Sequence, residues 1–485
     1  MSWETVVGLE VHVQLSTRTK MFCGCRTTFG DPPNTNVCPV CLGLPGALPV
    51  PNAEAVRLGA LAALALGCSV HPHSVFARKN YFYPDLPKGY QITQFDQPLA
   101  TGGRVAFESP ERGRVEVGIT RLHLEEDAGK LIHDRFPGKT AVDLNRAGTP
   151  LAEIVSEPDL RSPAEARAYL TVLRQILVYA RVSECSMEQG SLRVDANISI
   201  RRPGDAGLGT KTEVKNLNSF ANVERALEAE RLRQIALLES GQRVEQVTLL
   251  FNAGTGMVKP LRSKEESHDY RYFPDPDLPP LVLSSVWLEA QRAALPELPE
   301  ARRGRLERAF SLSAYDARVL TSEAALAEYF ESVVAAGAEP KAAANWVMGD
   351  VMASFNESGG FPVPAVRLER LIGLVRDGVV SHQAAKRVYA ELVASPEVEP
   401  RALAEKLGLV QVSDQGALAG WVDEVLAAHP GEVARFRDGE AKLMAFFVGQ
   451  VMKRSKGKAD PKGVQPVLVE RLTAPITPAG SADPP

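Results

Sequence analysis

Between Ser191 and Ile200 apolar and polar residues alternate without an error. Period two marks a half-buried strand, because successive side chains leave a strand on opposite faces. Arg193, Asp195 and Asn197 therefore share one face. The stretch from Leu9 to Leu15 repeats the pattern, with Glu10, His12 and Gln14 on the polar side. From Arg121 to Asp127 the polar set is Arg121, His123, Glu125 and Asp127. Val142 to Asn145 and Thr212 to Lys215 follow more briefly, presenting Asp143 with Asn145 and Glu213 with Lys215.

Elsewhere the period changes. Up to about residue 290 the chain is rich in Gly, Pro and short alternating runs; beyond about 295 it is rich in Ala, Leu, Glu and Arg at helical spacing. Two prolines punctuate the change, within Leu295 to Pro299. A second break falls at Leu409 to Gln415, before apolar positions at Leu418, Trp421, Val425, Leu443, Phe446 and Phe447. These breaks predict an α+β domain over 1–292 with an antiparallel sheet, an all-helical domain over 293–409 and a small helical tail domain over 410–475. The Pro-rich residues 476–485 have too little to bury and should stay disordered. Within the first domain, Phe220 to Gln242 reads as an amphipathic helix opened by Ser219 and stopped near Gly241.

Composition removes whole classes. The 485 residues carry 55 basic and 59 acidic side chains, a net charge of -4, so no global basic field draws nucleic acid and any RNA contact must be local. No stretch approaches the roughly 20 continuous apolar residues of a membrane span, and the N-terminus enters strand-like sequence without a signal segment. A cytoplasmic protein without a membrane partner is expected.

One alternating strand reads as an antiparallel strand with a solvated face. Five change the reading, because their polar faces hold Glu, His, Asp, Asn and Arg, the types that bind divalent cations and phosphates. A sheet lined by Glu10, His12, Glu125, Asp195 and Glu213 would hold Mg2+, leaving Arg193 and Lys215 for the phosphates of ATP. No G-x-x-x-x-G-K-[ST] or G-x-G-x-x-G string occurs, so this is a nucleotide site without a Walker loop. Two further stretches, Lys79 to Gln91 and Arg262 to Asp277, are aromatic, basic and punctuated by proline, which suits stiff, partly exposed loops. Cys23 and Cys25 precede Cys38 and Cys41, and the second pair has the C-x-x-C-x-G form of a zinc knuckle. Four thiolates leave no open position for water, so the expected Zn2+ is structural. Cys68 and Cys185 lack neighbours in sequence and read as core.

Seven strings in order resemble one family, the B subunit of tRNA-dependent amidotransferases. They are Val7 to His12, Lys79 to Gln94, Leu122 to Lys130, Asp143 to Asp159, Met187 to Asn197, Glu213 to Phe220 and His268 to Asp277. Leu295 to Pro299 looks like that family's linker and the sequence from Phe446 to Leu472 like its tail domain. Leu249 to Val258 departs from the pattern in being more apolar, and no substrate contact is assigned there. The resemblance implies a cradle-shaped, glutamine-synthetase-like first domain, a helical middle domain and a tail that grips tRNA. It implies that ATP phosphorylates the side-chain carboxylate of Glu-tRNA(Gln), Asp-tRNA(Asn) or both. Ammonia from a separate glutaminase, the amidase subunit, then displaces phosphate, and a third, small subunit completes the complex. Glu10, His12, Glu125, Asp195 and Glu213 are expected at that chemistry, with Lys79 positioning phosphate or carboxylate. Lys453, Arg454, Lys456, Lys458 and Lys462 form a basic run placed to meet tRNA phosphates. A free-standing carboxylate kinase would share the acidic sheet but leave the helical tail without a use. A non-catalytic RNA-binding module would explain the basic run but not the carboxylate faces.

Overall fold

The computed structural model describes residues 3–261, 270–411, 415–455 and 458–474. The chain divides into two compact units, Met1–Arg302 and Arg303–Pro485. Among the described residues no helix is long and apolar enough to cross a membrane.

The first unit is built on a sheet whose main strands are β1 (Glu4–Gln14), β4 (Gly113–Glu126), β5 (Pro150–Ser156), β6 (Leu192–Arg201), β7 (Thr212–Leu217), β8 (Thr248–Asn252) and β9 (Met257–Pro260). They lie in the order β9-β8-β7-β6-β1-β5-β4. Every neighbouring pair is antiparallel except β7 with β8. Two shorter strands, β2 (Phe76–Asn80) and β3 (Tyr90–Gln94), pair in a separate small sheet together with Phe273–Pro274.

The alternation sets the two faces. Val7, Leu9, Val11 and Val13 of β1 are buried with Leu122, Leu124, Ile154, Ala196 and Ile198 of its neighbours. Helices α1 (Ala53–Ala65), α2 (Pro163–Tyr179) and α3 (Phe220–Glu239) contribute to the same core through residues such as Leu61, Leu170, Leu173 and Leu227. Each fully buried Val or Leu adds roughly 1.5–3 kcal/mol, so a charge placed at Val11 would break this layer. The Ser219 hydroxyl accepts from the Asn222 N–H to open α3, and Gly241 follows its end with φ 78°. The sequence places both ends of that helix within a few residues.

One stretch folds differently from its sequence reading. Val142 to Asn145 does not join the main sheet: among the described residues Lys139–Asp143 pairs only with Lys130–Phe136, in a hairpin of its own. The apolar Leu249 to Val258 forms β8 and β9 at the sheet edge, and its character follows from Leu249 and Phe251 entering the core.

The second unit is built from helices and carries two apolar clusters. One gathers Leu306, Phe330, Trp346, Leu368, Tyr389 and Leu403, with Leu409 and Val410 packed against it. The other begins at Leu418 and gathers Val422, Phe447, Val451, Val464 and Leu468. Trp287, Leu288, Leu295 and Leu298 pack against the first unit's core, which keeps the chain with that unit up to Arg302.

Candidate active site

The strand register brings distant residues side by side on the polar face. His12 of β1 sits opposite Glu153 of β5 and Arg193 of β6, and Glu153 in turn sits opposite His123 of β4. His12 Nε2 lies 3.6 Å from Glu125 Oε1 and 3.4 Å from Glu153 Oε2. His123 Nε2 approaches the same two carboxylates at 3.7 and 3.3 Å. One ligand atom from each of His12, Glu125 and Glu153 lies within 4.8 Å of the others, close enough to share a cation. From the small sheet, the Thr93 hydroxyl donates to Glu125 at 3.2 Å.

Charge is concentrated here under poor solvation. Burial opposes protonation of His12, but Glu153 and Glu125 outweigh it and raise its pKa. For His123 the same contest brings the pKa up to about 9. Burial raises Glu153, yet His123 and His12 more than offset it and hold it well below the usual carboxylate range. Glu153 was not among the sequence candidates, because β5 reads Leu-Ala-Glu-Ile-Val and looks like a buried central strand. The one available signal was a lone carboxylate inside such a strand, which must be paired.

The remaining predicted residues form a second arrangement on the same face. Glu10 faces Asp195 across the strands and accepts from Asn197 Nδ2 at 3.0 Å. Burial, then the charges of Glu153, Glu213 and Asp195, raise its pKa. Lys215 Nζ bridges Asp195 at 2.9 Å and Glu213 at 3.0 Å, while Thr248 donates to Glu213. Arg193 turns to Asp127 at 2.9 Å, where Gln14 also donates. Lys79 Nζ lies 4.8 Å from the centroid of the Tyr270 ring. Burial works against its charge, but Tyr272, Glu125 and Tyr270 prevail and raise its pKa. Next to it Phe95 and Tyr272 stack at 4.1 Å, nearly parallel. Residues 262–269 of the second aromatic stretch lie outside the described residues.

The cysteines also meet. The sulfurs of Cys23, Cys25, Cys38 and Cys41 lie within 4.8 Å of one another. The donor set fits a tetrahedral Zn2+ with four thiolates. The Cys23 thiol lowers the pKa of Cys41 most, burial opposes it, and the Cys38 N–H and Lys20 add to the lowering, to about 4. Lys20 is wholly buried, its Nζ 3.6 Å from Cys41 Sγ, 2.7 Å from the Asn36 carbonyl and 3.3 Å from that of Leu144. Asp143 and Asn145, read from sequence as part of the polar face, clamp this loop instead: their side chains accept from the N–H groups of Asn34 and Asn36. Cys68 and Cys185 are buried in the core.

Residues 5–289 match the family model described as the GatB/GatE catalytic domain, and residues 328–472 match the GatB domain. The chain belongs to the GatB/GatE family. A relative from Moorella thermoacetica is 54% identical over 97% of this chain and 100% of its own length. One from Geobacter sulfurreducens is 53% identical with the same coverage. A third, from Brevibacillus brevis, is 51% identical over 97% of this chain and 99% of its own. All three are named as the B subunit of an aspartyl/glutamyl-tRNA(Asn/Gln) amidotransferase.

The catalytic-domain match spans every strand that carries the polar face, and the GatB-domain match spans the basic run of the tail. There Lys453 and Arg454 end the helix Leu443–Arg454, Lys458 lies in the connection, and Lys462 opens the helix Pro461–Thr473. All four are exposed, and Arg454 is held by Glu424 at 2.6 Å. Lys456 lies outside the described residues.

Proposed function

We propose that this chain is the ATP-dependent activating subunit of a tRNA-dependent amidotransferase, which converts Glu-tRNA(Gln), Asp-tRNA(Asn) or both into Gln-tRNA(Gln) and Asn-tRNA(Asn). The single observation that carries the reading is the convergence of His12, Glu125 and Glu153 within the domain matched by the family's catalytic model. The names of the relatives support it.

A carboxylate is a poor electrophile, so activation must come first. A side-chain carboxylate oxygen attacks the γ-phosphorus of ATP and ADP leaves with the bridging electron pair. Ammonia then adds to the acyl carbon, phosphate departs, and a proton is lost to leave the amide. A Mg2+ held by Glu125, Glu153 and His12 would supply charge neutralisation on the phosphoryl oxygens. Glu10, Asp195, Glu213, Lys215 and Arg193 line the face on which the nucleotide would lie, and Lys79 would orient phosphate or substrate carboxylate. His123 holds Glu153 in place from the buried side. A structural Zn2+ on Cys23, Cys25, Cys38 and Cys41 would pin the loop that follows β1. The ammonia comes from the amidase subunit, and the complex includes a small third subunit. The tail from about residue 410 binds the tRNA through Lys453, Arg454, Lys456, Lys458 and Lys462, in the cytoplasm where tRNA is charged.

The test is conversion of labelled Glu-tRNA(Gln) and Asp-tRNA(Asn) by the chain assembled with its amidase partner. The reading requires amide formation that depends on ATP and on a misacylated tRNA. Amide formation without ATP, or on free glutamate or aspartate, contradicts it.

A further inference from the structure

The helical unit holds a cavity of about 310 Å3, at the lower end of the roughly 300–1,000 Å3 typical of small-molecule pockets. At roughly 30 Å3 per water-sized group it has room for about ten heavy atoms. The helices Pro340–Trp346 and Ala365–Arg376 supply most of its lining, and His382, the first residue of the helix His382–Ala394, completes it.

Two backbone features meet here. Val347–Val351, directly after Trp346, form a π-helix, a rare turn found mostly at functional sites. Its wider turn lets Trp346 and Val351, five residues apart, both be buried. Gly373 lies inside an α-helix, where glycine is a poor helix former. Crowding does not call for it: a Cβ at Gly373 would meet only Arg376 Nη2, at 3.8 Å. What the missing side chain does is leave the cavity open.

The lining is apolar at Trp346, Ile372 and Val375, and its polar groups are unequal. Glu339 is occupied as a helix cap, accepting from the N–H groups of Lys341 at 2.9 Å and Ala342 at 2.6 Å. Arg376 is occupied by Asp377, to which its Nε donates at 2.8 Å. Glu369 has neither a hydrogen bond nor an ion pair among the described residues, although its charge is felt by Arg376. The lining thus sets two carboxylates against one arginine that Asp377 already neutralises. An anion is disfavoured, and a cation finds a carboxylate without a partner and an aromatic ring in one lining. We infer that this cavity binds a small organic cation, a primary ammonium on a compact apolar body, with the charge on Glu369 and the body against Trp346, Ile372 and Val375. The inference does not depend on the amidation reading.

The experiment titrates the assembled enzyme by calorimetry with phenethylamine, with the neutral phenethyl alcohol and with the anion phenylacetate, three ligands of nearly one size. The amine should bind at one site per chain, and the other two about tenfold or more weaker, the scale of a hydrogen bond to a charged group. Glu369→Gln should weaken the amine by about the same factor. Gly373→Leu, which fills the cavity, should abolish its binding. Gln and Leu are both good helix formers, so the helical unit keeps its fold in either variant. Absence of amine binding to the wild-type enzyme overturns the inference, as does phenylacetate binding as tightly as the amine. Loss in Gly373→Leu alone overturns the cationic class, and loss in Glu369→Gln alone places the amine on the surface rather than in the cavity. Amine binding unchanged in both variants puts its site elsewhere in the assembly and overturns the inference outright.

Discussion

Lys20 Nζ lies 3.6 Å from Cys41 Sγ, and among the described residues no carboxylate pairs with it. Its other partners are two carbonyl oxygens, which carry no net charge. A wholly buried ammonium is stable only beside negative charge, so the cysteine cluster must supply that charge. A four-thiolate zinc site would do so, with an excess of two negative charges. Lys20→Met keeps the stem and removes the charge. Zinc release to a chelator should then quicken by about tenfold or more, the usual scale for losing a group behind the metal ligands. Zinc retained at the wild-type rate would mean the lysine has another role.

Glu165 ties the start of α2 to the neighbouring strand connection. Its buried carboxylate accepts from Arg112 at 2.6 Å twice, from Ser109 at 2.9 Å and from the Arg161 N–H at 2.8 Å. Burial works to raise its pKa, but Arg112, the Arg161 N–H and Ser109 outweigh it and the result is lowered. A carboxylate with a lowered folded pKa adds stability that is fully present above its ordinary value and disappears as pH falls through the lowered one. Glu165→Gln should therefore cost roughly 1–3 kcal/mol at neutral pH, the scale for a buried group left imperfectly matched. It should also flatten the acid side of the stability curve below about pH 4.5. Denaturant titrations at pH 7 and pH 3.5 check this, and an equal cost at both contradicts it.

How much of this was legible in sequence depends on how local each signal is. Strand parity is local, so the shared faces of Glu10 with His12, of His123 with Glu125 and of Arg193 with Asp195 could be read without a structure. The cysteine spacing and the Ser219 cap are local too. Which strands lie side by side is not local. Only the register places Glu153 between His12 and His123, and only the topology sends Asp143 and Asn145 to the cysteine loop rather than to the sheet. Burial of Lys20 has no sequence signature, since a lysine near cysteines reads the same whether it is solvated or enclosed. Nor does alternation say which polar groups satisfy one another. Arg193 and Lys215 look free for phosphate, and the structure pairs them with Asp127, Asp195 and Glu213.

The basic run of the tail makes a separate prediction. Lys453, Lys458 and Lys462 are exposed and have no carboxylate partner among the described residues, unlike Arg454. Changing all three to Ala should weaken tRNA binding and lower the salt dependence of log K by about two to three, near one per lost phosphate contact. Mg-ATP binding should not move. An unchanged salt slope would place the tRNA elsewhere.

Glu153 is the carboxylate on which β1, β4 and β5 converge, and the placement of the reaction rests on it. Glu153→Gln keeps the size and removes the charge that His12 and His123 both face. The decisive measurement is tRNA-dependent ADP formation by the assembled enzyme carrying this change, with zinc content and glutaminase activity followed alongside. ADP formation should fall by about a hundredfold or more, as for loss of a charge that holds a catalytic cation, while zinc and glutaminase stay at wild-type levels. ADP formation within about threefold of wild type, too small a change for a group acting on the transferring phosphoryl, would contradict the placement of the reaction at this cluster.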